Sequence, residues 1–194
     1  MNEKVDRRIR KTKSQLRAGL TKLMREKSIK EITVKELVDT VDINRSTFYL
    51  HYADINQLLE SLEEELLSEI VGVIQSHSIA SFDETSFLFI QNIFTILSKN
   101  VDLCCALLGP NGDISFVHQI ENLISEQYHQ VFQSIFTDEI IDIKYFHAFC
   151  LTGCVGLIKA WLTDGAKESP EHMAKLAFTL IANATKDFRT NKTV

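Results

Sequence analysis

Between Ile32 and Tyr52 the chain reads ITVKELVDTVDINRSTFYLHY, and what its polar residues offer is donors and one cation. Arg45 brings a guanidinium. Ser46, Thr47 and Tyr49 bring hydroxyls, and His51 an imidazole. On one helix they make a strip that can bond to nucleic acid. A guanidinium pairs with guanine and a threonine methyl meets thymine. Hydroxyls and amides bond phosphate oxygens and set the register. Arg45, Ser46 and Thr47 are therefore the candidates for base edges. Thr33, Tyr49, His51 and Tyr52 are candidates for phosphates, with Lys35 and Asn44 beside them.

Two short helices must position these groups. Thr33-Val34-Lys35-Glu36 has the form of a capping box, in which the Thr33 hydroxyl and the Glu36 carboxylate satisfy orphan amides reciprocally. A helix is expected from about Val34, with Leu37, Val38 and Val41 on its apolar face. Asp42-Ile43-Asn44 brings turn-formers, and Asn44 caps a second helix, Arg45 to His51. Ile43 and Phe48 pack back on the first helix, and Arg45, Ser46, Thr47, Tyr49 and His51 stay outside. This is a helix-turn-helix. Ahead of it, Ile9, Leu16, Leu20, Leu23 and Met24 mark an amphipathic helix from about Asp6 or Arg7 to Lys27, behind a frayed 1–6. Its other face carries Arg7, Arg8, Arg10, Lys11, Lys13 and Arg17. Arg8 and Lys11 are phosphate candidates, weighed against an ordinary solvated face.

The residues Ile32-Thr33-Val34, Ile43-Asn44-Arg45-Ser46-Thr47-Phe48-Tyr49, His51-Tyr52 and Leu58-Leu59 resemble the DNA-binding signature of the TetR family of bacterial transcriptional regulators. The resemblance covers about Arg8 to Glu65. Ile55 stands where that family usually has a Lys that helps fix the backbone. A shorter similarity, over Cys154 to Ala174, is to the dihydroxyacetone kinase regulator variant of the C-terminal domain.

Composition agrees with an all-α chain of about nine helices: 194 residues, two prolines, seven glycines, and no alternating β-branched run. Residues 1–52 carry 13 Lys+Arg against 7 Asp+Glu, whereas the whole chain is at −5. The basic part predicts an anionic partner for the headpiece alone. The expected organisation is a headpiece, 1–53, and a helical ligand-binding and dimerisation domain, 54–194. Leu58, Leu62, Leu66, Ile70 and Ile74 predict a long helix from Asp54 to about His77. Five more follow, near Phe87–Lys99, Asp102–Leu108, Ile114–Phe136, Ile143–Asp164 and Pro170–Phe188. Turns separate them at Ser78–Asp83, Gly109–Gly112, Thr137–Ile141 and Gly165.

Of 17 aromatic residues, 14 lie beyond residue 57. Phe87, Phe94, Phe116, Phe132, Phe146 and Phe149 are the candidate lining of a pocket, against the plainer reading of a packed core. The family resemblance implies a small-molecule effector there. Gly153, Gly156 and Ala160, with Leu157 and Trp161 and with Leu176, Leu180 and Ala184 of the last helix, form a candidate dimer interface. Two recognition helices on palindromic half-sites, ~34–36 Å apart or a multiple, require a homodimer.

Rival chemistries are thinner. His147, Cys150 and Cys154 share a helix face, a soft-metal or thiol-sensor pattern, but free cysteines are usually small hydrophobes. Cys104-Cys105 point apart. No phosphate loop, nucleophile elbow or HExxH is present, so no catalytic residue, metal or cofactor is expected and the chain does not read as an enzyme. No secretory leader and no run of 18 apolar residues is seen, so a cytoplasmic protein without a membrane span is expected. Double-stranded operator DNA, a second copy and an unknown effector are the expected partners. A repressor released by its ligand is the favoured reading. The alternative is a helical adaptor, or a coactivator-dependent activator, with weakened DNA binding.

Overall fold

The computed structural model describes residues 3–76, 84–112, 114–135 and 143–190. Among these residues there are nine α-helices and no strand: α1 (Glu3–Glu26), α2 (Val34–Thr40), α3 (Arg45–Tyr49), α4 (Ile55–Ser76), α5 (Glu84–Lys99), α6 (Val101–Leu108), α7 (Ile114–Ile135), α8 (Ile143–Thr163) and α9 (Pro170–Thr190). The all-α expectation holds. Three ends differ from it. α1 begins at Glu3, α9 runs on to Thr190, and α3 stops at Tyr49, with Leu50 and His51 in a turn. His77, Phe136 and the turns 78–83 and 137–141 lie outside the described residues.

The chain divides into two compact units. The first comprises residues 1–66 and 102–116, and the second comprises 67–101 and 117–194. The packing boundary falls within α4, at Leu66/Leu67, whereas the sequence reading separates domains at residue 53. The reason is local: Leu58, Leu59, Leu62 and Leu66 are all buried, so the first turns of α4 belong to the headpiece core.

Heptad-like spacing builds that core. Leu16, Leu20, Leu23 and Met24 of α1 are buried, as are Leu37 and Val38 of α2 and Phe48 of α3. Burying one such side chain fully contributes roughly 1.5–3 kcal/mol. α1 packs on α2, and α2 on α3. A Cβ on Gly19 would run into the Val41 and Leu37 side chains, so this mid-helix glycine permits the close approach of α1 to the turn. Polar ties help close the unit. Lys27 pairs with Glu36 at 2.5 Å. Arg25 pairs with Asp102 of α6 at 2.7 Å, while the Asn111 amide donates to Arg25 O at 3.5 Å.

In the second unit α5 lies along α9, and α8 also touches α9. Phe89, Ile90, Phe94 and Leu97 of α5 and Met173, Ala174 and Ala177 of α9 are buried. α8 ends in a Schellman motif. Gly165 sits at φ 85, its N–H donates to Leu162 O, and the Ala166 N–H donates to Trp161 O. Ser169 then caps α9, accepting from the His172 N–H at 3.2 Å, with Pro170 in the first position.

Candidate nucleic-acid interface

The helix-turn-helix is built by caps on both sides of its turn. Thr33 Oγ1 accepts from the Glu36 N–H at 3.2 Å, as its spacing predicts. The Glu36 carboxylate does not return to close the box, because the Lys27 ammonium holds it. α2 ends in a second Schellman motif: the Ile43 N–H donates to Val38 O at 3.0 Å around Asp42, at φ 54. That position usually falls to Gly, and Asp tolerates it better than most residues. Asn44 then starts α3 through its backbone, its carbonyl accepting from Thr47 and Phe48. Its side chain makes no cap bond and stays exposed.

Arg45, Ser46 and Tyr49 are exposed on α3, and Thr47 and His51 are half-buried. Tyr49 is 57% exposed and meets the buried Phe48 ring edge-on at 5.4 Å. Thr33 and Lys35 are exposed as well, as are Arg7, Arg8, Arg10, Lys11 and Lys13 of α1. A shallow cleft along α2 carries Thr33 and Lys35, with Glu36, Asp39 and Thr40 completing its lining. Two expectations need correction. Tyr52 is only 6% exposed; its ring packs by Phe48 at 5.9 Å, with the Lys13 ammonium 6.0 Å from its centroid. It is a core residue of the headpiece because it falls four residues after Phe48, on the inward side. Arg17 of the basic cluster pairs with Glu65 of α4 at 3.6 Å.

The start of α4 is closed by its own side chains. Asp54 Oδ1 accepts from the Gln57 N–H at 2.8 Å, and Gln57 Oε1 accepts from the Ala53 N–H. Ile55 is buried. An acidic cap and an inward Ile leave no cation there to hold a phosphate.

The C-terminal candidates fall into groups. Phe116 is buried in the first unit, whereas Phe87, Phe94, Phe146 and Phe149 belong to the second. Phe87 packs on Phe178 at 5.9 Å and Phe94 on Trp161 at 5.3 Å. Phe149 is 70% exposed, and the side chain of Phe132 lies outside the described residues. Phe94 and Phe146 are thus buried, whereas Phe149 lies on the surface. Phenylalanine spacing alone does not distinguish cavity lining from core and surface.

Of the interface candidates, Gly153, Gly156, Ala160, Leu176 and Leu180 are exposed, and Leu157 and Ala184 half-buried. Among the described residues, a Cβ on Gly153 or Gly156 would meet nothing within 4 Å. Trp161 is not on this face: it is 3% exposed, and its Nε1 donates to Glu168 O at 3.1 Å. Lys144–Thr163 is also long and apolar enough to cross a membrane by length and composition. His147, Thr152, Gly153, Gly156 and Lys159 interrupt it, so it holds no run of 18 apolar residues. Burial pushes the Cys150 thiol up to about 12, with Cys154 nearby adding to it, and burial pushes Cys154 up as well. Among the described residues no three His, Cys, Asp or Glu side chains form a metal-holding group.

Sequence reading missed three features: the service of Gly19, the exposure of Leu50, and the inward turn of Ile55. Only Gly19 carried a signal, as a lone glycine inside a helical pattern.

Comparison with known proteins places this geometry. Residues 84–183, just over half the chain, match the family model for the TetR-type "Transcriptional regulator C-terminal region". An uncharacterized HTH-type transcriptional regulator of Bacillus subtilis strain 168, YxbF, is 22% identical over 185 residues, 87% of this chain. The chain spans 44% of that relative's length. A TetR transcriptional regulator from Streptococcus agalactiae 2603V has a similar fold, with TM-score 0.60, 24% identity, and 93% of this chain and 99% of that one covered. The dihydroxyacetone kinase operon activator DhaS is similar at TM-score 0.58 and 15% identity, over 91% of this chain and 97% of its own.

Proposed function

Because the chain belongs to the TetR family of transcriptional regulators, we propose that it binds a palindromic operator as a homodimer and represses transcription until a small molecule releases it. The observation that carries this reading is α3: Arg45, Ser46 and Tyr49 stand exposed on a helix that Asn44 opens through its backbone, in a unit whose α1 also exposes Arg8 and Lys11. Arg45, Ser46 and Thr47 reach base edges. Arg8, Lys11, Thr33, Lys35, Asn44, Tyr49 and His51 position the duplex. In this reading residues 1–53 bind DNA, and 54–194 bind the effector and a second copy. Such a protein works in the cytoplasm, where its operator is.

The homodimer reading is supported by the exposed stripe Gly153, Gly156 and Ala160, with Leu176 and Leu180 on α9. An apolar helix left mostly uncovered within one chain is of the kind that a second copy would bury. The effector enters by family membership. It changes DNA affinity only if it prefers the conformation that does not bind. α4, which runs from the headpiece into residues of the second unit, is the proposed lever.

A second reading, an activator or helical adaptor with a weaker grip on DNA, is favoured by the start of α4. Asp54, Gln57 and Ile55 leave that phosphate site unfilled. One assay separates the two: retention of genomic fragments on the full-length protein at low salt, followed by sequencing. The regulator reading expects an enriched inverted repeat beside a promoter. Recovery of fragments with no shared sequence would remove it.

A further inference from the structure

We propose that Leu50 is a specificity-determining residue, reading a thymine methyl group in the major groove. The inference rests on the DNA-binding reading above and adds a contact to it. Leu50 is 79% exposed, the highest value of any large apolar side chain among the described residues. A lone surface leucine is ordinary in itself, so its position has to carry the argument.

Leu50 holds helical backbone angles, φ −70 and ψ −19, and its N–H donates to Ser46 O at 3.2 Å. The helical register of α3 thus continues through it. Residues three and four apart lie on one helix face. Leu50 therefore stands one turn beyond Ser46 and Thr47, on the side that carries the base-reading candidates. Phe48 and Tyr52, on the other side, are buried. Tyr49, the adjoining exposed residue, extends the same surface.

Charge selects the occupant. Residues 1–52 hold 13 Lys+Arg against 7 Asp+Glu, so the headpiece that carries Leu50 suits a polyanion. Of the groups a duplex shows in its major groove, the thymine C5-methyl is the apolar one. A leucine at that place gains by covering it, and loses nothing a hydrogen bond would have supplied.

The test uses the full-length protein and its selected operator. Each thymine is replaced in turn by deoxyuridine, which removes only the methyl group. Affinities are measured for the wild type, Leu50→Ala and Leu50→Met. The wild type should lose about fourfold at one thymine in each half-site, the worth of one methyl-sized contact. Leu50→Ala should bind the intact operator more weakly and show no further loss with deoxyuridine there, while Leu50→Met keeps the sensitivity. Sequence-specific binding with no sensitive thymine, or an equal loss in wild type and Leu50→Ala, overturns the proposal and leaves the regulator reading intact. Absence of any sequence-specific binding overturns both.

Discussion

Asp42 is a residue whose backbone works against its type. It holds φ 54 at the Schellman position that ends α2, where a side chain costs energy that glycine does not. Asp42→Gly should raise the stability of the headpiece by about 1 kcal/mol, read as a higher midpoint in denaturant. A lower midpoint would mean that the aspartate is held by something stronger than local strain. Cys150 makes a second case. Its folded value, about 12, lies above the ordinary 9.0 because burial favours the neutral thiol. The sign follows: this contribution to stability is complete below the ordinary thiol value and is lost as pH rises toward the folded one. Alkylation of Cys150 should therefore be far slower than that of a peptide thiol and still climb about tenfold per pH unit through pH 9, and should accelerate once the protein is unfolded. A rate that levels off near pH 9, as for a peptide thiol, would contradict the burial.

Helices α1 to α3 were readable from the chain because cap and period agree there. Thr33 precedes a run with Leu37 and Val38 at helical spacing, and both are buried, while Ser46 and Tyr49 are not. Residue type failed where position within the turn decides. Leu50 is apolar yet points out, and Tyr52 is polar-tipped yet points in, since only the register of α3 sets which side each faces. Nor was the place of 102–116 readable. It joins the first unit through pairings such as Arg25–Asp102, which lie 77 residues apart in sequence. The pocket residues were the least legible, because a phenylalanine in a core and one lining a cavity have the same spacing. α1 itself yields a prediction. Its exposed cations, Arg8 and Lys11, should each release counterions on binding DNA. Arg8→Gln or Lys11→Gln should lower the slope of log affinity against log salt by about one and weaken all sequences alike. A slope unchanged in both variants would make this face a solvated one.

At the scale of the molecule, the prediction concerns association. Gly156 is exposed on α8, and a Cβ there meets nothing within 4 Å among the described residues. In a lone chain Gly156→Ala should add about 1 kcal/mol of helix stability. Where two copies approach closely along this stripe, the same methyl group opposes them. The variant should therefore melt higher when dilute yet dissociate at higher concentration, as sedimentation equilibrium would show. Undiminished self-association would take this stripe out of the dimer surface. The single tryptophan offers a further handle. Trp161 lies in the second unit, screened from water against Phe94, and the headpiece has no indole. Its emission should thus be a private optical gauge of one half of the protein, reddening when that half melts. A denaturation followed by tryptophan light and by helical ellipticity together would reveal whether the headpiece lets go first.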